Sequence, residues 1–301
     1  MNAAESRSPA WPLMLAAAAI MLVTTGGRQS LGLYIAPLSQ STGLGIADIS
    51  LALAVGQFVW GASQPIFGAI ADRHGSTGVI VAGAVLLAAG FASTPYAHTT
   101  AGLIWTLGVL SAAGAGAGSF SILIGATARR LDPARRGFAA GFINAGASFG
   151  QFLFAPLNQF FIGALGWVGA ITTMAAMMLS TVPLAWWLGS GKPAGAGATP
   201  ETAAAPVAPP LSLRGQLAIA ARDRSYWCLH LGFLTCGFHV AFLVTHLPTE
   251  VGLCGLGGKV AATSLAIIGL ANIGGSLGAG MLGNHMRLKC CLLYTSDAAD
   301  E

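Results

Sequence analysis

Arg28 is the one Lys, Arg, Asp or Glu that falls well inside an apolar run of this sequence. A charge at bilayer depth costs at least ~2.5–3.5 kcal/mol on insertion scales, so it is expected to face protein or a water-filled cavity. No acid lies in any apolar run to neutralise it. A bound anion would do so, and a guanidinium offers a carboxylate two parallel N–H donors. The competing reading is that Arg28 snorkels outward or pairs with a residue elsewhere. Gln57, Trp60 and Gln64 recur at i, i+3 and i+7, on one helical face. Asn144, Ser148, Gln151 and Asn158 fall at i, i+4, i+7 and i+14. Amides are costly against lipid, so both stripes are expected to face a wet cavity or to bond a neighbouring helix. His239 lies in the middle of a later run, with His246 seven residues on. A histidine there can bond a substrate, carry a proton near neutral pH, or bond the next helix. His246 and His230 lie nearer the ends of the run and read as structural. The candidate substrate contacts are therefore Arg28, Gln57, Trp60, Gln64, Asn144, Gln151 and His239.

The elements that must position these residues follow from composition. Of 301 residues, 54% are hydrophobic and 8% are charged, against about 25% charged in soluble domains. So few charges cannot cover a water-facing surface. A soluble enzyme, a disordered chain and a disulfide-stapled module are excluded. Eight apolar runs are long enough to cross ~30 Å of hydrocarbon at ~20 residues each. They are Trp11–Leu38, Ser50–Ala71, Val79–Ala97, Gly102–Ala126, Phe138–Gly163, Trp167–Leu188, Tyr226–Pro248 and Val260–Leu282. None alternates as a barrel strand does, so helices are the spanning solution. The first run continues past a signal peptide's ~7–15-residue core. An all-α membrane protein results. Residues 1–188 form a six-span unit, 189–224 a linker with a short amphipathic helix, and 225–290 two further spans.

Loop charges set an orientation. Arg73, Arg129, Arg130, Arg135, Arg136, Lys192, Arg214, Arg222, Arg224, Arg287 and Lys289 all fall on the side of Arg7. Twelve of the 14 basic residues thus share one side, which the positive-inside rule assigns to the cytoplasm together with the N-terminus. The net charge of +4 forms no surface stripe, so nucleic acid is not an expected partner. Cys228 and Cys236 lie in an apolar run and are expected to be packed thiols. No Walker-type loop, catalytic triad or metal-ligand spacing is present, so no cofactor and no enzymatic activity are expected. Gly114, Gly116, Gly118, Gly146 and Gly150 read as small residues for close helix packing, and Pro156 as a kink or stop.

Between the second and third runs the chain reads Gly68-Ala-Ile-Ala-Asp72-Arg73-His74-Gly75-Ser76. Gly68 would let another helix approach, Asp72 would pair with an arginine or helix N-terminus, and Gly75 would permit a tight turn. This resembles the signature loop of the major facilitator superfamily, in its expected place after the second of six spans. Two basic residues that usually follow are here Ser76 and Thr77. In the family this loop latches the two halves in the outward-facing state, which makes Gly68, Asp72, Arg73 and Gly75 a gating motif. A degenerate copy, Gly280-Met-Leu-Gly-Asn284-His285-Met286-Arg287, follows the eighth run, as the family's two-half construction implies. Gly27–Leu33, Gly146–Pro156 and Cys236–Pro248 are similar to segments of bacterial relatives of the monocarboxylate and oxalate/formate carriers. Those carriers place a basic residue near Arg28 for an anionic substrate. They also tend to have an Asp–Arg pair in the eighth span, where this chain has Asn272 and Ser276.

The resemblance implies the major facilitator fold, with eight of twelve expected spans. Cys291–Glu301 is similar to translated sequencing-adapter read-through and is expected to be non-native, with four further spans expected in the gene. The implied function is secondary active transport of a small organic anion, a carboxylate, by alternating access. A proton is the candidate coupling ion, and the family expectation is a monomer. The bias to Arg, Ala and Gly suggests a bacterial gene and hence the cytoplasmic (inner) membrane. The alternatives are a proton-coupled exporter of amphiphilic compounds and a membrane sensor on the same scaffold.

Overall fold

Backbone N–H and C=O groups find no water in hydrocarbon, so an apolar chain must satisfy them within its own helices. The computed structural model describes residues 10–128, 130–131, 135–190 and 213–282, and every element among them is helical. The first span is α1 (Ala10–Gln29), a 3₁₀ turn (Leu31–Tyr34) and α2 (Ile35–Thr42). The second is α3 (Ile46–His74) and the third α4 (Ser76–Ser93). Gly75 joins these two at φ +92°, a backbone conformation that a Cβ would strain. The fourth span is built from α5 (Thr100–Leu103), a π-helical stretch (Ile104–Ser111), α6 (Ala112–Ala117) and α7 (Phe120–Ala128). Then come α8 (Arg136–Leu179), α9 (Thr181–Ser190), α10 (Leu213–Ala220), α11 (Arg224–Leu253) and α12 (Gly258–Leu282).

Seven of the described helical segments are long and apolar enough to cross a membrane, against the eight runs expected. The difference lies at one residue. The stretch Arg136–Gly189 holds the fifth and sixth runs as two helices joined at Gly166, whose φ +68° and ψ 171° are not helical, with a turn at Ser180 between α8 and α9. The chain reverses at Gly166. Arg130, just before this stretch, donates from Nη1 to the carbonyl of Leu188 at its far end, 2.6 Å away. The break falls at Gly166 and not at Pro156, which α8 accommodates.

Packing of the first unit depends on close backbone approach. A Cβ added to Gly26 would lie 2.5 Å from backbone atoms of Gly150, so α1 and α8 touch main chain to main chain. Without a hydrophobic drive between helices in lipid, such contacts supply the packing. Tyr34, Leu38, Ile49, Leu87, Phe91, Phe154 and Met174 build one buried cluster. Ile20, Ile80, Leu123 and Ile143 build a second, nearer the loops that carry Arg73 and Arg130. Leu33, Ala155, Val244 and Leu265 form a third, which joins the first unit to α11 and α12.

That joint is uneven along α11. Val244 is buried, whereas residues 227–240 are exposed. Cys228 and Cys236 are therefore exposed and not packed as expected, because the part of α11 that holds them has no helix against it among the described residues. Residues 191–212 of the expected linker, Cys291–Glu301 and the motif copy beyond Leu282 lie outside the described residues.

Candidate functional site

Arg28 sits in the last turn of α1, immediately before the helix gives way to the 3₁₀ turn. A buried network fixes that change of geometry. Asn158 Nδ2 donates to Ser30 Oγ at 2.7 Å and to the Phe154 carbonyl at 3.0 Å. Tyr34 donates its hydroxyl to Asn158 Oδ1. All three side chains are buried, so each must find its partners inside the protein. The hydroxyl of Ser30 also reaches back to the Gly27 carbonyl at 2.8 Å.

So held, Arg28 reaches α3. Its Nη2 donates to Gln57 Oε1, and lies 3.4 Å from the Gly56 carbonyl. The guanidinium carbon stands 4.6 Å from the centre of the Trp60 ring, within range of a cation–π contact. Arg28, Gln57 and Trp60 are thus brought together. No carboxylate pairs with Arg28 among the described residues. A half-buried guanidinium held by a neutral amide and a ring face keeps its full positive charge available to an anion.

A cavity of about 180 Å³ adjoins this cluster, between α3 and α11. Its polar lining is Gln57 and Ser50 from α3 with Thr245 and His246 from α11, and Phe238 and Phe242 add aromatic walls. The hydroxyl of Ser50 is buried with no hydrogen-bond partner.

The other sequence-derived candidates spread along the seams. Gln64 follows Trp60 one turn on and is half-buried. Gln151 is buried and its Nε2 has no hydrogen-bond partner. Asn144 is exposed and donates from Nδ2 to Ser276 Oγ of α12 at 3.0 Å. His239 is exposed, with Nδ1 2.9 Å from the Thr235 carbonyl. In the loop motif, Asp72 and Arg73 lie exposed in the last turn of α3. Nothing described lies within 4 Å of a Cβ at Gly68. The close approach expected there is absent among the described residues.

Ser30, Tyr34 and His246 were not sequence candidates. The first two are invisible to helical periodicity, since the backbone leaves α-helical geometry between them. His246 becomes notable only once α11 is docked beside α3.

Residues 15–296 match the family model described as Major Facilitator Superfamily. Monocarboxylate transporter 11 of Mus musculus is 27% identical over 275 residues, covering 91% of this chain and 59% of the relative. The oxalate:formate antiporter of Oxalobacter formigenes is 30% identical over 149 residues, covering 49% of this chain and 34% of that protein. The chain thus spans less than two thirds of the length of these curated relatives. In fold it is similar to the crystal structure of a D-xylose-proton symporter, with a TM-score of 0.58 and 16% identity. That match covers 92% of this chain and 69% of the other.

Proposed function

The chain belongs to the Major Facilitator Superfamily, and on that premise we propose that it serves a secondary transporter moving a small carboxylate across the cytoplasmic membrane by alternating access. One observation carries the reading: Arg28 is held at depth by Gln57 and Trp60 with no carboxylate partner among the described residues. In a low-dielectric site an unpaired cation is costly, and an incoming anion relieves that cost. Two relatives whose names refer to monocarboxylates and to oxalate and formate support the same class of cargo.

Arg28 receives the carboxylate, and Gln57 and Trp60 flank it. Gln64, Gln151 and His239 line the remainder of the path, with the unpartnered Nε2 of Gln151 as a spare donor. Asn144 stands at the seam with α12. Gly68, Asp72, Arg73 and Gly75 act as the gating loop. Its base-rich end of the bundle faces the cytoplasm by the positive-inside rule.

The test is uptake of labelled carboxylates by the full-length protein in proteoliposomes. Arg28→Ala is expected to abolish uptake with normal membrane insertion. Arg28→Lys keeps the charge and loses the fork. It should raise KM about tenfold, in keeping with one charge-assisted hydrogen bond at ~1.5–3 kcal/mol. Unchanged kinetics in Arg28→Ala would overturn the reading.

A further inference from the structure

The chain passes from α10 into α11 through a tight elbow held by its own hydrogen bonds. The N–H groups of Arg222 and Asp223 donate to the carbonyls of Ile219 and Ala220 at 3.1 and 3.0 Å. Asp223 accepts from the Ser225 N–H at 2.8 Å, so the one acid of the elbow is spent as the cap of α11. Trp227 reaches back across the turn, and its Nε1 donates to the Ala221 carbonyl at 2.8 Å. Tyr226 meets the Trp227 ring edge to face, and its own ring lies with its centroid 3.9 Å from that of His230.

What these bonds leave over is a pair of guanidinium groups. Arg222 and Arg224 flank Asp223, both are exposed, and neither pairs with a carboxylate among the described residues. Beside them Trp227 is 53% exposed and Ile219 59% exposed. Their depth follows from length. α11 has 30 residues, so it is about 45 Å long, and a bilayer with its headgroup regions is about 40–45 Å thick. A helix of that length crossing the membrane has its first residues at the level of the headgroups. A soluble acidic partner matches the two arginines and has no use for an indole and an isoleucine at that depth. An anionic lipid matches all four side chains.

We propose that the elbow between α10 and α11 is a binding site for an anionic phospholipid. Arg222 and Arg224 take the headgroup phosphate, to which each guanidinium can offer two parallel N–H donors. Trp227 and Ile219 lie against the glycerol and upper acyl region, where indole rings are enriched in membrane proteins. The bond from Trp227 to Ala221 ties the turn to the start of α11. A lipid seated on it therefore anchors α10 and the entry to α11 in the same leaflet. The site is separate from Arg28 and does not depend on the carboxylate reading.

The experiment is native mass spectrometry of the delipidated full-length protein, titrated with dioleoyl-phosphatidylglycerol or dioleoyl-phosphatidylcholine. The wild type is expected to bind its first phosphatidylglycerol about thirtyfold more tightly than phosphatidylcholine, which is the scale of two basic residues beside an anionic headgroup. Arg222→Gln combined with Arg224→Gln should remove that preference and leave phosphatidylcholine binding unchanged, which also reports that the variant is folded. Arg135→Gln combined with Arg136→Gln removes the same charge from another exposed pair and should change the preference by less than about twofold. Arg222→Lys combined with Arg224→Lys keeps the charges and loses the forks. It should lose about fivefold, and it is read instead should the glutamine pair fail to insert. No loss there, or none in the glutamine pair, overturns the proposal. A wild type without preference overturns it too. An equal loss in the Arg135 and Arg136 pair would show a diffuse attraction to basic charge, and displacement of the lipid by free glycerol 1-phosphate would show a plain phosphate site. Either result overturns the lipid site.

Discussion

Asn158 has both of its polar atoms satisfied inside the protein, and this makes it the most exacting residue near Arg28. It joins Ser30, Tyr34 and the Phe154 carbonyl. Asn158→Leu leaves the buried hydroxyl of Tyr34 without a partner, while Ser30 keeps its bond to Gly27. A buried orphan costs roughly 1–3 kcal/mol in water-soluble proteins. Membrane-embedded hydrogen bonds average nearer 0.6 kcal/mol by double-mutant cycles. The lower figure weighs more here, so a loss of about 1 kcal/mol is expected. Tyr34→Phe orphans Asn158 Oδ1 in turn and should cost about as much. The double variant removes donor and acceptor together, so it should be less destabilised than the sum by about 1 kcal/mol. Reversible unfolding in detergent measures all three. Strict additivity would mean that Tyr34 and Asn158 do not bond.

Helices meet in two different ways in this chain, and glycine substitution distinguishes them. A Cβ at Gly150 would collide with the Leu22 carbonyl and lie 2.9 Å from Gly26 Cα. Those are backbone atoms of α1, which cannot yield as a side chain can. Gly150→Leu is therefore expected to remove the protein from the membrane fraction, as measured by immunoblot. A Cβ at Gly32 would meet the carbonyls of Val244 and Thr245 on α11 and Pro248 Cγ at 3.2 Å. This seam joins the first unit to α11, and alternating access requires such seams to part. Gly32→Val should thus leave the first unit folded and force α11 away. A thiol at position 245 should then react with a maleimide several-fold faster than in the Gly32 parent. Equal rates would show that the seam stays closed. Both glycines look alike in sequence. Only the docked helices tell which one holds a unit together and which one lies between units.

For the whole molecule, hydropathy made the spans legible, because a chain in lipid has no other way to satisfy its backbone. It also separated the fifth run, ending at Gly163, from the sixth, beginning at Trp167, and the non-helical backbone at Gly166 lies between them. The cluster of Arg28, Gln57 and Trp60 was legible because a lone charge and a one-face stripe are both rare in apolar helices. Ser30, Tyr34 and His246 were not, because their meaning depends on a 3₁₀ turn and on a partner helix distant in sequence. Orientation is the remaining property at this scale, and it follows from the charges together with the fold. Gly189 packs on Thr77, and Arg130 bonds the Leu188 carbonyl. The C-terminal ends of α3, α7 and α9 therefore gather at one end, and Arg73, Arg130, Arg135 and Arg136 lie there. The loop after α4 carries Tyr96 and His98, both exposed, and no basic Lys or Arg. With the five cysteines replaced by serine, single thiols at positions 98 and 135 report the two ends. A membrane-impermeant maleimide added to intact cells should label His98→Cys and spare Arg135→Cys, and inverted vesicles should reverse the pattern. The opposite result would place the base-rich loops outside, and the gating loop at Asp72 would then face away from the cytoplasm.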